Sequence, residues 1–196
     1  MTTIPPFDAD GLLPPRDYEL SFDELRQSIL VSGPGDPIAY PSWDQPWRER
    51  LVNNLEILTR QLWQVGIRAV FADGSFAEDK EHPNDIDGYF ECDLGELMTG
   101  ELERRLNLLD PSKVWTWDPA SRKPYRGYPK KQLPMWHKYR VELYPMFPVW
   151  VSVAAFSIST GTNWSFHLLF VSAAATASRA ESSKSSMEVS HDSQRS

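Results

Sequence analysis

The sequence predicts an α/β fold of the α+β kind: a small mixed sheet with flanking helices. Three observations lead there. An apolar stripe, Trp47, Leu51, Leu55, Leu58, Leu62 and Val65, recurs every three or four positions and marks one long helix. Short runs of β-forming residues at 67–72, 86–92 and 138–144 are separated by helical or irregular segments rather than by hairpin turns. No internal repeat points to a solenoid or a propeller.

The elements follow in order. Residues 1–15, rich in proline, read as an ordered entry loop, and the N-terminus lacks the basic and apolar regions of a secretory signal. Ser21-Phe22-Asp23-Glu24 has capping-box spacing, so a helix starts there and runs to about Val31, where SGPGDP stops it. Gly66 ends the long helix. Strands at 67–72 and 86–92 follow, then an amphipathic helix over 94–108. Residues 111–134 mix prolines with bulky rings and read as loop with a strand near 114–117, and 138–144 reads as the third main strand.

At 196 residues the chain suits one domain, 1–148 with a core at 47–145, followed by an atypical, poorly ordered tail over 149–196. A net charge of −7 argues against non-specific coating of nucleic acid. Cys92 is the only cysteine, which excludes an intrachain disulfide and a cysteine-rich zinc site and fits a cytoplasmic location. From Leu143 to Ser178 there is no charged residue, but Ser, Thr, Gly and Asn interrupt that stretch, so no membrane span is expected.

The chemistry concentrates in four places. Gly74-Ser75 ends a strand in a glycine and a hydroxyl, where backbone N–H groups can approach a phosphate. Asp85 and Asp87 flank Ile86 at the start of the next strand, so both carboxylates project from one face and suit a divalent cation, magnesium or manganese. Glu142 lies between Val141 and Leu143; an acid in that setting must bind metal or pair with a cation. In the six residues after Ser75 the only cation is Lys80, amid Glu78, Asp79 and Glu81, acids that equally suit a helix N-terminus. Finally, Arg122, Lys123, Arg126, Lys130, Lys131, Lys138 and Arg140 alternate with Tyr125, Tyr128 and Trp136; such a segment grips triphosphate or stacks on a base, or is a solvated loop. His137 reads as structural.

A strand leading into Gly74-Ser75, then Asp85-Ile86-Asp87 opening the next strand and Glu142 isolated between Val141 and Leu143 on a third, resembles the polymerase-β-like nucleotidyltransferase superfamily. More narrowly, IPPFDADGLLPP, GSF followed by PNDIDG, and VELYP resemble an uncharacterised bacterial family of small nucleotidyltransferase-like proteins, from Ile4 to Phe147. The resemblance implies that Gly74 and Ser75, with Lys80 nearby, contact nucleotide phosphates. It also implies that Asp85 and Asp87 hold two metal ions, and that Glu142 binds one of them and assists deprotonation of the acceptor. The implied reaction transfers a nucleotidyl group from an NTP to a hydroxyl on protein or RNA, releasing pyrophosphate. Two alternatives stand beside it: a catalytically degenerate nucleotide- or partner-binding protein, and a glycosyltransferase using the Asp-x-Asp doublet.

Past Phe147 charge vanishes and Ser, Ala and Thr accumulate. Translation is expected to leave the family's reading frame near Phe147 or Pro148. The same bases read two positions offset, with synonymous codons chosen, can spell from Val149 a peptide containing Phe-Pro-x-x-Phe-Arg, as the family's end would.

Overall fold

A computed structural model describes residues 4–14, 16–147 and 169–172. Among these residues the sheet has five strands: β1 (Tyr18–Leu20), β2 (Ala69–Asp73), β3 (Ile86–Glu91), β4 (Val141–Met146) and β5 (Leu169–Ser172), in the spatial order β1-β5-β2-β3-β4. β3 runs antiparallel to β2 and parallel to β4, while β5 is parallel to β1 and antiparallel to β2. The expected mixed sheet with flanking helices is therefore present. β1 has no counterpart in the sequence reading, and a three-residue strand offers too short a run for an alternation to be read. Apart from β5, the expectations for 149–196, disorder and a changed reading frame, fall on residues outside those described.

The long helix, α3 (Gln45–Gln64), is capped by the Asp44 carboxylate, which accepts from the Trp47 N–H at 3.0 Å, and the chain leaves it through Gly66 at a φ of +96°. Its stripe delivers Leu51, Leu55, Leu58 and Leu62 to the core, where they join Val70, Ala72, Ile86, Phe90, Val141 and Leu143 from one face of the sheet. Removing one such leucine to alanine costs about 2–5 kcal/mol in a close-packed core. The capping box is present, with the Ser21 N–H and hydroxyl both donating to Glu24 and the Glu24 N–H donating to Ser21.

The expected helix to Val31 is two pieces, α1 (Phe22–Gln27) and α2 (Ile29–Ser32). Ser28 between them adopts extended backbone and donates its hydroxyl to the Leu25 carbonyl, so the side chain replaces a helical bond. The helix over 94–108 is also divided, into α4 (Leu94–Met98) and α5 (Glu101–Leu109), because Gly100 turns left-handed at a φ of +73°.

Two local readings are corrected. The expected strand at 138–144 starts too early: Lys138 and Tyr139 end α6 (Pro134–Tyr139), and Arg140, left-handed at a φ of 56°, turns the chain into β4. Near 114–117 there is no strand. The aromatic residues there serve burial instead: Trp115 donates its indole N–H to Gln61 of α3, which donates to Asp110, which also accepts from Tyr139. Non-local satisfaction of buried polar groups, not alternation, shapes that segment. No helix among the described residues is long and apolar enough to cross a membrane.

Candidate active site

Strand periodicity and register build one wall of the site. Along β3, Ile86, Gly88 and Phe90 are buried, which turns Asp87 and Tyr89 to the opposite face. The register sets Asp87 directly beside Asp73 of β2 on one side and Glu142 of β4 on the other. Two residues further along the strands, Phe71, Tyr89 and Tyr144 form the adjoining row, with Phe71 and Tyr89 stacked at 4.9 Å. A row of three acids thus crosses three strands, and Asp85, just before β3, adds a fourth.

Two glycines make this arrangement sterically feasible. Gly74 stands at a φ of +77°, and a Cβ there would lie 3.2 Å from Asp87 Oδ2, so the turn backbone rests against that carboxylate. A Cβ on Gly88 would meet the Phe71 carbonyl oxygen at 2.3 Å and Leu143 Cδ2 at 2.9 Å; the position cannot take a side chain without moving a strand. Ser75 is half-buried in the 3-10 turn Gly74–Ala77.

Asp85, Asp87 and Glu142 line one cleft of about 610 Å3, and Arg122, Lys130 and Lys131 line it with them. Between Pro119 and Val141 there are seven Lys or Arg and no Asp or Glu, in a chain of net charge −7. This segment is drawn in by specific contacts. Lys123 and Gln132 exchange backbone hydrogen bonds of 2.9 Å in both directions. Arg122 donates to the Lys131 carbonyl at 3.0 Å and to the Tyr144 hydroxyl at 2.8 Å. Tyr125 and Tyr128 pack edge-on against Trp136, and the Arg140 guanidinium lies 3.8 Å from the Trp136 ring centroid.

Each acid has a distinct setting. Asp85 Oδ2 accepts from the Trp136 indole N–H at 2.5 Å. Asp87 opens to solvent along the cleft. The cleft walls strip water from its other sides, and with the charges of Asp85, Glu142 and Asp73 this pushes its carboxyl up to about 7. Glu142 is only 4% exposed. Its Oε1 accepts from the Leu133 N–H at 2.7 Å and lies 3.6 Å from Arg122, while Oε2 accepts from the Tyr144 hydroxyl. Burial and that bond to Glu142 hold the Tyr144 phenol up at about 12, so it stays protonated and donating.

The model of the family of unknown function DUF6932 matches residues 5–164. The chain belongs to the DUF6932 family. No curated protein and no solved structure matches it. In this DUF6932 chain every residue of the cleft lies inside the matched span, which also continues past Phe147, where the sequence alone set the change of frame.

Several residues of this DUF6932 chain differ in place from what the sequence implied. Lys80 is exposed and is not among the cleft's lining residues. What holds its segment is its carbonyl, which with those of Phe76, Glu78 and Leu30 accepts from the Arg48 guanidinium. Arg48 is fully buried, and burial lowers its pKa to about 9 against the opposing pull of Asp79. Sequence reasoning missed Arg48, Asp73 and Tyr144, and it placed Trp136 in a stacking segment without its bond to Asp85. Tyr144 had a signal, lying two residues from Glu142 on the same strand face, whereas Trp136 meets Asp85 across 51 positions of sequence.

The acids suit a hard divalent cation unequally. Asp85 has one oxygen without a hydrogen bond among the described residues, and Asp87 is ringed by like charge that a cation would relieve. Both oxygens of Glu142, in contrast, already receive donors, and among the described residues no three His, Cys, Asp or Glu stand together in a metal-holding arrangement.

Proposed function

We propose that this cleft transfers a nucleotidyl group from an NTP to a hydroxyl on protein or RNA, as a polymerase-β-like nucleotidyltransferase does. One observation carries the reading: acids and Lys/Arg side chains line the same cleft. A triphosphate needs both, cations along its phosphate oxygens and a carboxylate-bound metal where charge develops.

Asp85 and Asp87 would hold magnesium or manganese, which would supply charge neutralisation at the phosphates and activation of the attacking oxygen. Arg122, Lys130 and Lys131 take the phosphate oxygens, and the backbone around Gly74 and Ser75 borders Asp87. The acceptor oxygen bonds to the α-phosphorus, the bond from that phosphorus to the β-phosphate bridge breaks, and pyrophosphate leaves. The acceptor proton passes to water, to which the cleft is open beside Asp87. A cytoplasmic location, where NTPs and magnesium are abundant, accords with the lone Cys92.

A second reading, nucleotide binding without transfer, is favoured by the engagement of both Glu142 oxygens. One experiment separates them. The chain is incubated with each α-labelled NTP, magnesium or manganese, and cell extract, beside Asp87→Asn. Metal-dependent label on protein or RNA that disappears in the variant supports transfer. Retention of nucleotide without labelled product would replace it with the binding reading.

A further inference from the structure

Glu142 joins the two walls of the cleft. Through Oε1 it accepts from the N–H of Leu133, the residue that caps α6, and α6 carries Trp136, whose indole N–H holds Asp85. Through Oε2 it accepts from Tyr144, whose hydroxyl accepts in turn from Arg122; Arg122 itself stands 3.6 Å from Oε1. A metal ligand in a cleft presents free oxygen lone pairs to it. Glu142 instead gives one oxygen to each of two protein donors, with the Arg122 cation beside Oε1, and is nearly closed off from solvent.

We propose that Glu142 is a positioning residue and not a metal ligand: it fixes Arg122 toward the bound polyphosphate and, through Leu133 and α6, fixes the Asp85 carboxylate. The proposal rests on the nucleotidyltransferase reading for the identity of the polyphosphate, but the contacts it concerns exist without any ligand. It also explains why an acid sits on an otherwise apolar strand. A buried carboxylate with a donor on each oxygen and a cation beside it is satisfied, and removing it would leave the Leu133 N–H without its acceptor and Arg122 without its counter-charge.

The test separates metal from anion binding in the whole chain. Manganese binding is followed by electron paramagnetic resonance, and ATP binding by calorimetry in EDTA, for wild type, E142Q, D87N, R122Q and E142Q/R122Q. Glutamine keeps an acceptor for Leu133 but loses the charge beside Arg122. E142Q is expected to hold manganese within about threefold of wild type, while D87N loses on the order of tenfold or more. E142Q and R122Q should each weaken ATP by about tenfold, with the double variant no worse than R122Q, because the two act as one unit. Manganese loss in E142Q equal to that in D87N, or ATP losses that multiply, overturns the proposal.

If wild type binds no manganese, the cation reading fails on its own, and the ATP cycle still decides the role of Glu142. If it binds neither probe, the Trp136 indole N–H proton resonance decides. That resonance should stay in place in E142Q and shift or broaden in E142A, which frees Leu133. An unchanged resonance in E142A rules the positioning role out.

Discussion

The two walls of the cleft are made in different ways. The acid wall is set by strand geometry: β2, β3 and β4 carry Asp73, Asp87 and Glu142 in one register row, and displacing any of them means displacing a strand. The basic wall is a proline- and glycine-containing segment held by one backbone bridge, Lys123 to Gln132, and by side chains, with Arg122 tied to Tyr144 and Lys131, and the tyrosines packed on Trp136. Ladder hydrogen bonds are cooperative and continuous with the core, whereas a loop fastened at a few points has lower local stability. A cleft so divided keeps its acid wall rigid while the residues of its basic wall have more freedom to adjust.

The largest effects should come from breaking the acid wall at its glycines. Gly88→Val forces Cβ atoms into the Phe71 carbonyl and Leu143, and we expect a loss of more than about 3 kcal/mol in chemical denaturation, enough to unfold much of the population. Gly74→Ala is milder, costing about 1–2 kcal/mol for the left-handed backbone, and its Cβ crowds Asp87. Nucleotide binding at subdenaturing conditions should fall in Gly74→Ala by more than its stability loss explains. A Gly88 variant of wild-type stability would show that β2 and β3 do not pack as described.

The basic wall should respond differently. Lys130→Gln with Lys131→Gln removes two cleft cations whose side chains are exposed, so stability should change by less than about 0.5 kcal/mol. ATP affinity should fall by about tenfold at low salt, with the difference shrinking as salt rises. An affinity that stays at the wild-type value would remove these lysines from the site.

This contrast is also the measure of what the sequence disclosed. Alternation around Asp85, Asp87 and Glu142 was readable because a strand's side-chain period is two, and the stripe of α3 because a helix's is 3.6. Register was not readable, so Asp73 went unnoticed beside Asp87 although it adjoins Gly74. The basic residues were visible as composition, but their convergence depends on bonds such as Arg122 to Tyr144 and Trp136 to Asp85 that carry no local period. Lys80 misled for the same reason. Proximity to Ser75 in sequence suggested a phosphate contact, while the fold uses its carbonyl to satisfy Arg48 and leaves its side chain in solvent.

The central claim is that Asp87, crowded by three other acids, is where a divalent cation binds. Its carboxyl stands at about 7, well above the ordinary carboxylate range, so below that pH a proton occupies the position the cation needs. The direct measurement is manganese affinity between about pH 6 and pH 8 in wild type and Asp87→Asn. Affinity should rise by on the order of tenfold across that interval in wild type and stay low and flat in the variant, because deprotonating one ligand is worth at most about tenfold per pH unit. Equal affinities for the two proteins, or a wild-type affinity independent of pH, would contradict the account.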